Sequence, residues 1–204
     1  MKIAIFTTGG TIDKVYFDAK GDYHVGSPMV RELLVHARLG EIPEITELLR
    51  KDSLEMTDAD RQVIRAAVAD CEAARILVTH GTDTIVATAQ ALAGIEGKTI
   101  VLAGALQPGR FADSDAAFNL GLAFGAVQLC SPGVYVVANG TVFPRTGDPV
   151  HRPGRAARAS LPSYVPAQSR PVAQDRAPAD ESQYLRATHR GGAAAAVGEM
   201  GVAP

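Results

Sequence analysis

Along the first 143 positions, apolar residues fall into short continuous runs separated by stretches with helical spacing. The runs at 2–6, 75–79, 99–103 and 134–138 are almost unbroken. A strand reads this way when both of its faces are covered, as in a parallel sheet. Between them, residues 29–39 place Val30, Leu33, Leu34 and Ala37 on one face of a helix. A second helix is predicted over 58–73, with Thr57 as N-cap and Asp60 completing a capping box. Residues 85–93 and 115–128 supply two more, the latter capped by Asp113 or Ser114. The pattern at 45–49 fits a strand or a helix equally. Such alternation predicts an α/β fold: a doubly wound, mostly parallel sheet flanked by helices.

Composition divides the chain. All five lysines and every isoleucine lie at or before residue 100, and the last phenylalanine is Phe143. From Arg145 onward the only Leu, Ile, Phe or Met residues are Leu161, Leu185 and Met200, while seven of the twelve prolines fall there. Such a segment buries too little apolar surface to offset its chain entropy. The expectation is therefore a domain over 1–143 and a Pro/Ala/Arg/Gly-rich tail over 144–204, poorly ordered or loosely docked.

Charge and cysteine content narrow the partners. A formal net charge of -2 argues against a nucleic-acid surface, which needs clustered Lys and Arg. No apolar run approaches the roughly 18 residues of a membrane span. The N-terminus lacks the pattern of a secretory signal, so a cytoplasmic location is expected. Cys71 and Cys130 read as part-buried thiols of a reducing compartment.

In open α/β sheets, ligands bind beyond the carboxyl ends of the strands, and three of those ends are unusual. The first carries Thr7-Thr8-Gly9-Gly10-Thr11-Ile12, the second Thr79-His80-Gly81-Thr82-Asp83-Thr84, the third Ala103-Gly104-Ala105-Leu106-Gln107-Pro108. Paired glycines let a ligand approach the main chain, and the threonines offer hydroxyls as nucleophile or donor. The plainer reading of the first loop is a tight turn; its spacing matches neither GxGxxG nor a P-loop. Thr82-Asp83 alone reads as an N-cap pair. Beside the Thr11 loop, Asp83 can instead bind an ammonium group, which suits an amino-acid ligand. His80 reads as a buried, hydrogen-bonded histidine or as a base. The motifs hold no His/Cys cluster for a metal.

The pair TTGGTID and THGTDT, in this order and spacing, resembles the amino-terminal domain of the bacterial-type L-asparaginase family. Asp22-Tyr23-His24-Val25-Gly26 is similar to the family's tyrosine-bearing loop segment, and Asp52-Ser53-Leu54-Glu55-Met56 to its substrate-binding serine segment. Ala103–Pro108 and Phe118-Asn119-Leu120 extend the likeness, which covers residues 1–143. The resemblance implies hydrolysis of L-asparagine to L-aspartate and ammonia through a threonine acyl-enzyme, with no cofactor. It implies Thr11 as nucleophile, Tyr23 as its proton-moving neighbour, and Thr82 and Asp83 as catalytic and substrate-binding residues. Gly10 and Ser53 would join the substrate site. A homo-oligomer is implied too.

Three departures accompany it. The second α/β domain usual in the family is not in this sequence. The family's lysine after the strand at 134–138 has no counterpart: no lysine follows Lys98, and Arg145 or Arg152 would have to supply positive charge. Leu54 stands where larger relatives have a polar side chain. These departures support an alternative, a weak or inactive aspartate/asparagine-binding domain. A Rossmann-like nucleotide binder rests on fold analogy alone.

Overall fold

The computed structural model describes residues 2–17 and 22–145. Within them the apolar runs form β1 (Ile3–Gly9), β5 (Arg75–Thr79), β6 (Thr99–Ala103) and β7 (Gly133–Ala138). The ambiguous stretch is a strand, β4 (Glu44–Lys51), at one edge of the sheet. A short β8 (Thr141–Pro144) closes the other edge. The order is β4-β1-β5-β6-β7-β8, with every neighbouring pair parallel except β7 and β8. The sheet is thus mixed and mostly parallel, as predicted.

Alternation along the strands splits the core in two. Phe6, Ile76, Val78, Ile100 and Leu102 face α2 (Asp58–Asp70) and α3 (Ile85–Ala91), meeting Ile64, Val68 and Ala89. Ile3, Ile5, Leu77, Val101 and Val137 face α1 (Val30–His36) and α4 (Ala116–Leu129), meeting Val30, Leu34, Leu120 and Ala123. Every residue of β6 is buried, which is why its sequence carries no polar alternation.

The helix ends show how local chemistry sets length. Thr57 and Asp60 form the predicted capping box: the Thr57 hydroxyl accepts from the Asp60 amide, and the Asp60 carboxylate accepts from the Thr57 amide. Thr57→Ala should cost about 1 kcal/mol, read as a lower urea midpoint with an unchanged slope. Helix α1 stops earlier than predicted because Arg38 turns left-handed at φ 54. At α4 the Ser114 hydroxyl, not Asp113, accepts from the Ala116 amide.

Besides β8, two features were not predicted. β2 (Lys14–Phe17) and β3 (Asp22–Val25) form a separate antiparallel hairpin. Residues Ser53–Glu55 and Thr11–Asp13 form single 3-10 turns. Apart from its first two residues, the predicted tail lies outside the described residues, as does Arg152.

Numbered by appearance, the parallel strands run 2-1-3-4-5: the chain leaves β1 for the edge at β4, then returns past it to β5. That reversal opens a crevice above the carboxyl ends of β1 and β5, where the two threonine motifs emerge.

Candidate active site

The two motifs meet backbone to backbone. Gly10, at φ 87, packs so closely on Gly81 that a Cβ on it would stand 2.3 Å from the Gly81 nitrogen. A Cβ on Gly81 would in turn meet the Ser53 Cβ and Oγ, each at 2.5 Å. Neither loop could approach the other if either position carried a side chain. Around this contact the Thr8 hydroxyl donates to the Thr79 carbonyl at 2.9 Å, and the Gly10 amide donates to the Lys51 carbonyl at 2.9 Å. The ends of β1, β4 and β5 are thereby fastened together.

Ser53 joins them. It is buried, and its Oγ donates to Asp83 Oδ2 at 3.0 Å. The Thr84 hydroxyl donates to the Ser53 carbonyl at 2.8 Å. Neither Thr82 nor Asp83 caps α3, whose N-cap is Thr84 without a side-chain capping bond. Asp83 is exposed, and Thr11 and Thr82 are half-buried at the same edge. So Thr11, Gly10, Ser53, Thr82 and Asp83 come from three separate chain segments to one corner. Leu54 is 75% exposed and lines no core.

Tyr23 is on the hairpin. Its ring lies 5.3 Å from that of Tyr16, its cross-strand partner, and 6.4 Å from that of Phe111. Lys14 ties the hairpin to the serine turn through an ion pair with Asp52 at 2.6 Å. Burial pulls the Asp52 carboxyl upward, but the Lys14 ammonium and the Leu54 amide outweigh it and hold Asp52 below the usual range. Behind the site, Lys51 grips both oxygens of Asp60 at 2.9 Å, which with Thr57 lowers that carboxyl to about 2.

His80 is the structural histidine. Its Nδ1 lies 2.8 Å from the Gly81 carbonyl, which can only accept, so Nδ1 carries the proton. Nε2 then accepts from the Thr88 hydroxyl at 2.7 Å. Burial pushes the imidazole down to about 4, against the opposing bond to Gly81. Held neutral and turned inward, it serves no proton transfer at the corner.

The cation predicted after β7 is displaced. Asn139 and Gly140, with φ 48 and 71, reverse the chain into β8. The Arg145 amide consequently donates to the Val134 carbonyl, near the start of β7. Arg145 therefore stands about 13 Å of strand away from the carboxyl edge. Asp13, by contrast, was overlooked: the first motif ends in a carboxyl that is fully buried. A lone acid directly after the buried Ile12 is the signal that could have singled it out. Among the described residues, no group of three or more His, Cys, Asp or Glu side chains could hold a metal ion.

Comparison with known proteins identifies the family of this fold. The family profile for the asparaginase N-terminal domain matches residues 2–160. An L-asparaginase from Thermococcus kodakarensis is 30% identical over 142 residues, which are 67% of this chain and 43% of that protein. The solved structure of the thermostable L-asparaginase from the same organism superposes with a TM-score of 0.61 at 28% identity, over 72% of this chain and 46% of its own. L-asparaginase I from Vibrio cholerae gives 0.61 at 27%, over 72% and 47%. A probable cytoplasmic L-asparaginase from Campylobacter jejuni gives 0.58 at 25%, over 72% and 49%. The chain spans about half the length of these relatives.

Proposed function

Because the chain belongs to the asparaginase family, through that family's N-terminal domain, we propose that it is an amidohydrolase cleaving L-asparagine to L-aspartate and ammonia. The observation that carries the proposal is the corner itself: the Gly10–Gly81 contact joins the segments of Thr11 and of Thr82-Asp83, and Ser53 bonds to Asp83. In this reading the Thr11 oxygen attacks the side-chain amide carbon, and its proton passes to a neighbour, Tyr23 or Thr82. The C–N bond breaks with protonation of the nitrogen, ammonia leaves, and water hydrolyses the ester. Turn amides supply donors for the charge developing on the amide oxygen.

The Ser53–Asp83 bond has a role in this scheme. Without substrate the two side chains satisfy each other. An amino acid can replace that bond with two stronger ones: its ammonium to Asp83, its carboxylate to the freed Ser53 hydroxyl.

The test is ammonia release from L-asparagine by the purified chain, with L-glutamine alongside. One observation favours a second reading, an aspartate- or asparagine-binding domain with little turnover. The Arg145 main chain pairs with Val134 near the start of β7, away from the carboxyl end where the family's lysine is expected. That reading expects no ammonia, but a raised melting temperature with L-aspartate.

We also propose that the chain self-associates through α4. That helix has no charged residue in fourteen, and it exposes Phe118 by 67% and Leu129 by 87%. Exposed apolar surface of this kind marks an interface. Phe118→Asp combined with Leu129→Asp should convert a sedimenting dimer or larger species to monomer. An unchanged sedimentation coefficient would remove α4 from the interface. A cytoplasmic location is proposed on the relative from Campylobacter jejuni. No described helix is long and apolar enough to cross a membrane.

A further inference from the structure

We propose that Asp13 is a positioning residue: its main chain joins the Thr11 turn to the end of the β2–β3 hairpin that carries Tyr23, and its carboxyl group holds that junction to the start of α1. The assignment rests on the amidohydrolase reading above.

Asp13 is joined to three neighbouring parts of the chain. Its amide donates to the Gly10 carbonyl at 3.1 Å, which holds the Thr11 turn closed. Its carbonyl accepts from the Gly26 amide at 2.8 Å, at the end of the hairpin. Its Oδ1 accepts from the Met29 amide at 2.8 Å, at the start of α1. The only covalent route from Thr11 to Tyr23 runs through this residue and the hairpin strands. A two-stranded hairpin is marginal by itself, so its placement depends on such tethers. Lys14–Asp52 is a second one, made by the hairpin's first residue.

The lock is sensitive to charge. Asp13 is 1% exposed, and its Oδ2 has no hydrogen-bond partner among the described residues. Burial raises its carboxyl to about 7, against the Met29 amide, which lowers it. Glu47 of β4 raises it further, while Arg110 and Arg50 lower it. These charges are themselves engaged: Arg50 pairs with Glu47 at 2.7 Å and Arg110 with Glu32 of α1 at 3.8 Å. None of them touches Oδ2. Below pH 7 the folded lock is neutral. In any state where the hairpin lifts and Asp13 meets water, its carboxyl returns toward 3.8, so such states gain population as pH rises from about 4 to about 7 and hold it above 7.

The test compares wild type, Asp13→Asn and Asp13→Ala by amide hydrogen exchange at Gly26 and Met29, at pH 6 and pH 8. Asn keeps an acceptor for Met29 and cannot ionise. The ratio of wild-type to Asp13→Asn exchange should rise about tenfold from pH 6 to pH 8, because the opened carboxyl is ionised at both while the folded one ionises between them. Asp13→Ala should be fast at both. Where ammonia release is measurable, the ratio of wild-type to Asp13→Asn kcat should be lower at pH 8 than at pH 6, with KM little changed. An exchange ratio of wild type to Asp13→Asn that is the same at pH 6 and pH 8, or full protection in Asp13→Ala, overturns the lock. Exchange is read without turnover, so loss of the amidohydrolase reading leaves this result standing on its own.

Discussion

Thr11→Ala should reduce ammonia release from L-asparagine by about 10³-fold or more, the usual effect of removing a covalent nucleophile. The fold should be untouched, because Thr11 is half-buried in a single 3-10 turn whose main-chain bonds do not use its side chain. Thr11→Ser, which keeps the hydroxyl, should retain part of the rate. Binding should outlast chemistry: Ser53 and Asp83 remain bonded to each other and ready for a zwitterion, so L-aspartate should still raise the melting temperature of Thr11→Ala. A rate unaffected by Thr11→Ala would end the threonine mechanism. No rate in the wild type, with the thermal shift retained, would select the binding-domain reading and turn attention to the end of β7.

That end also shows how far the sequence could be read. The parallel strands were legible because burial on both faces leaves unbroken apolar runs. Strand β8 was not read, although Asn139-Gly140 between apolar residues is a strong hairpin signal. Both residues have positive φ, as a type I′ turn requires. Missing that turn let Arg145 be imagined near the site, when the antiparallel register carries it back to Val134. The β2–β3 hairpin was harder to read, since its four-residue strands are half-polar and show neither period over enough length.

The site was legible in its residues and not in its contacts. Motif spacing indicated that Thr11 and Thr82-Asp83 sit at neighbouring strand ends. It could not say that Gly10 and Gly81 touch, or that Ser53 is the side chain against which Gly81 packs. Those are facts of three segments far apart in sequence. Asp13 shows the same gap from the other side: its importance comes from what surrounds it, not from its type.

Gly10→Ala should be the most damaging single methyl in the domain. At φ 87 and ψ -172 the backbone occupies a region essentially reserved for glycine, costing about 1–3 kcal/mol for any other residue. The new methyl would also stand 2.3 Å from the Gly81 nitrogen and 2.4 Å from its Cα. Backbone cannot swing aside as a flexible side chain can, and such overpacking adds about 1–3 kcal/mol. Together these come to about 2–6 kcal/mol, which reaches the lower end of the about 5–15 kcal/mol that stabilises a small domain. Urea unfolding should show a midpoint far below wild type. Any folded fraction should have lost catalysis, because separating Gly10 from Gly81 separates Thr11 from Thr82 and Asp83. Gly121→Ala is the matching control. Nothing lies within 4 Å of its Cβ position on α4, and alanine favours a helix over glycine by about 1 kcal/mol, so it should leave the midpoint equal or higher. If Gly10→Ala unfolds with the wild-type midpoint, the two threonine motifs do not pack as described, and the corner on which the proposed chemistry depends is not formed.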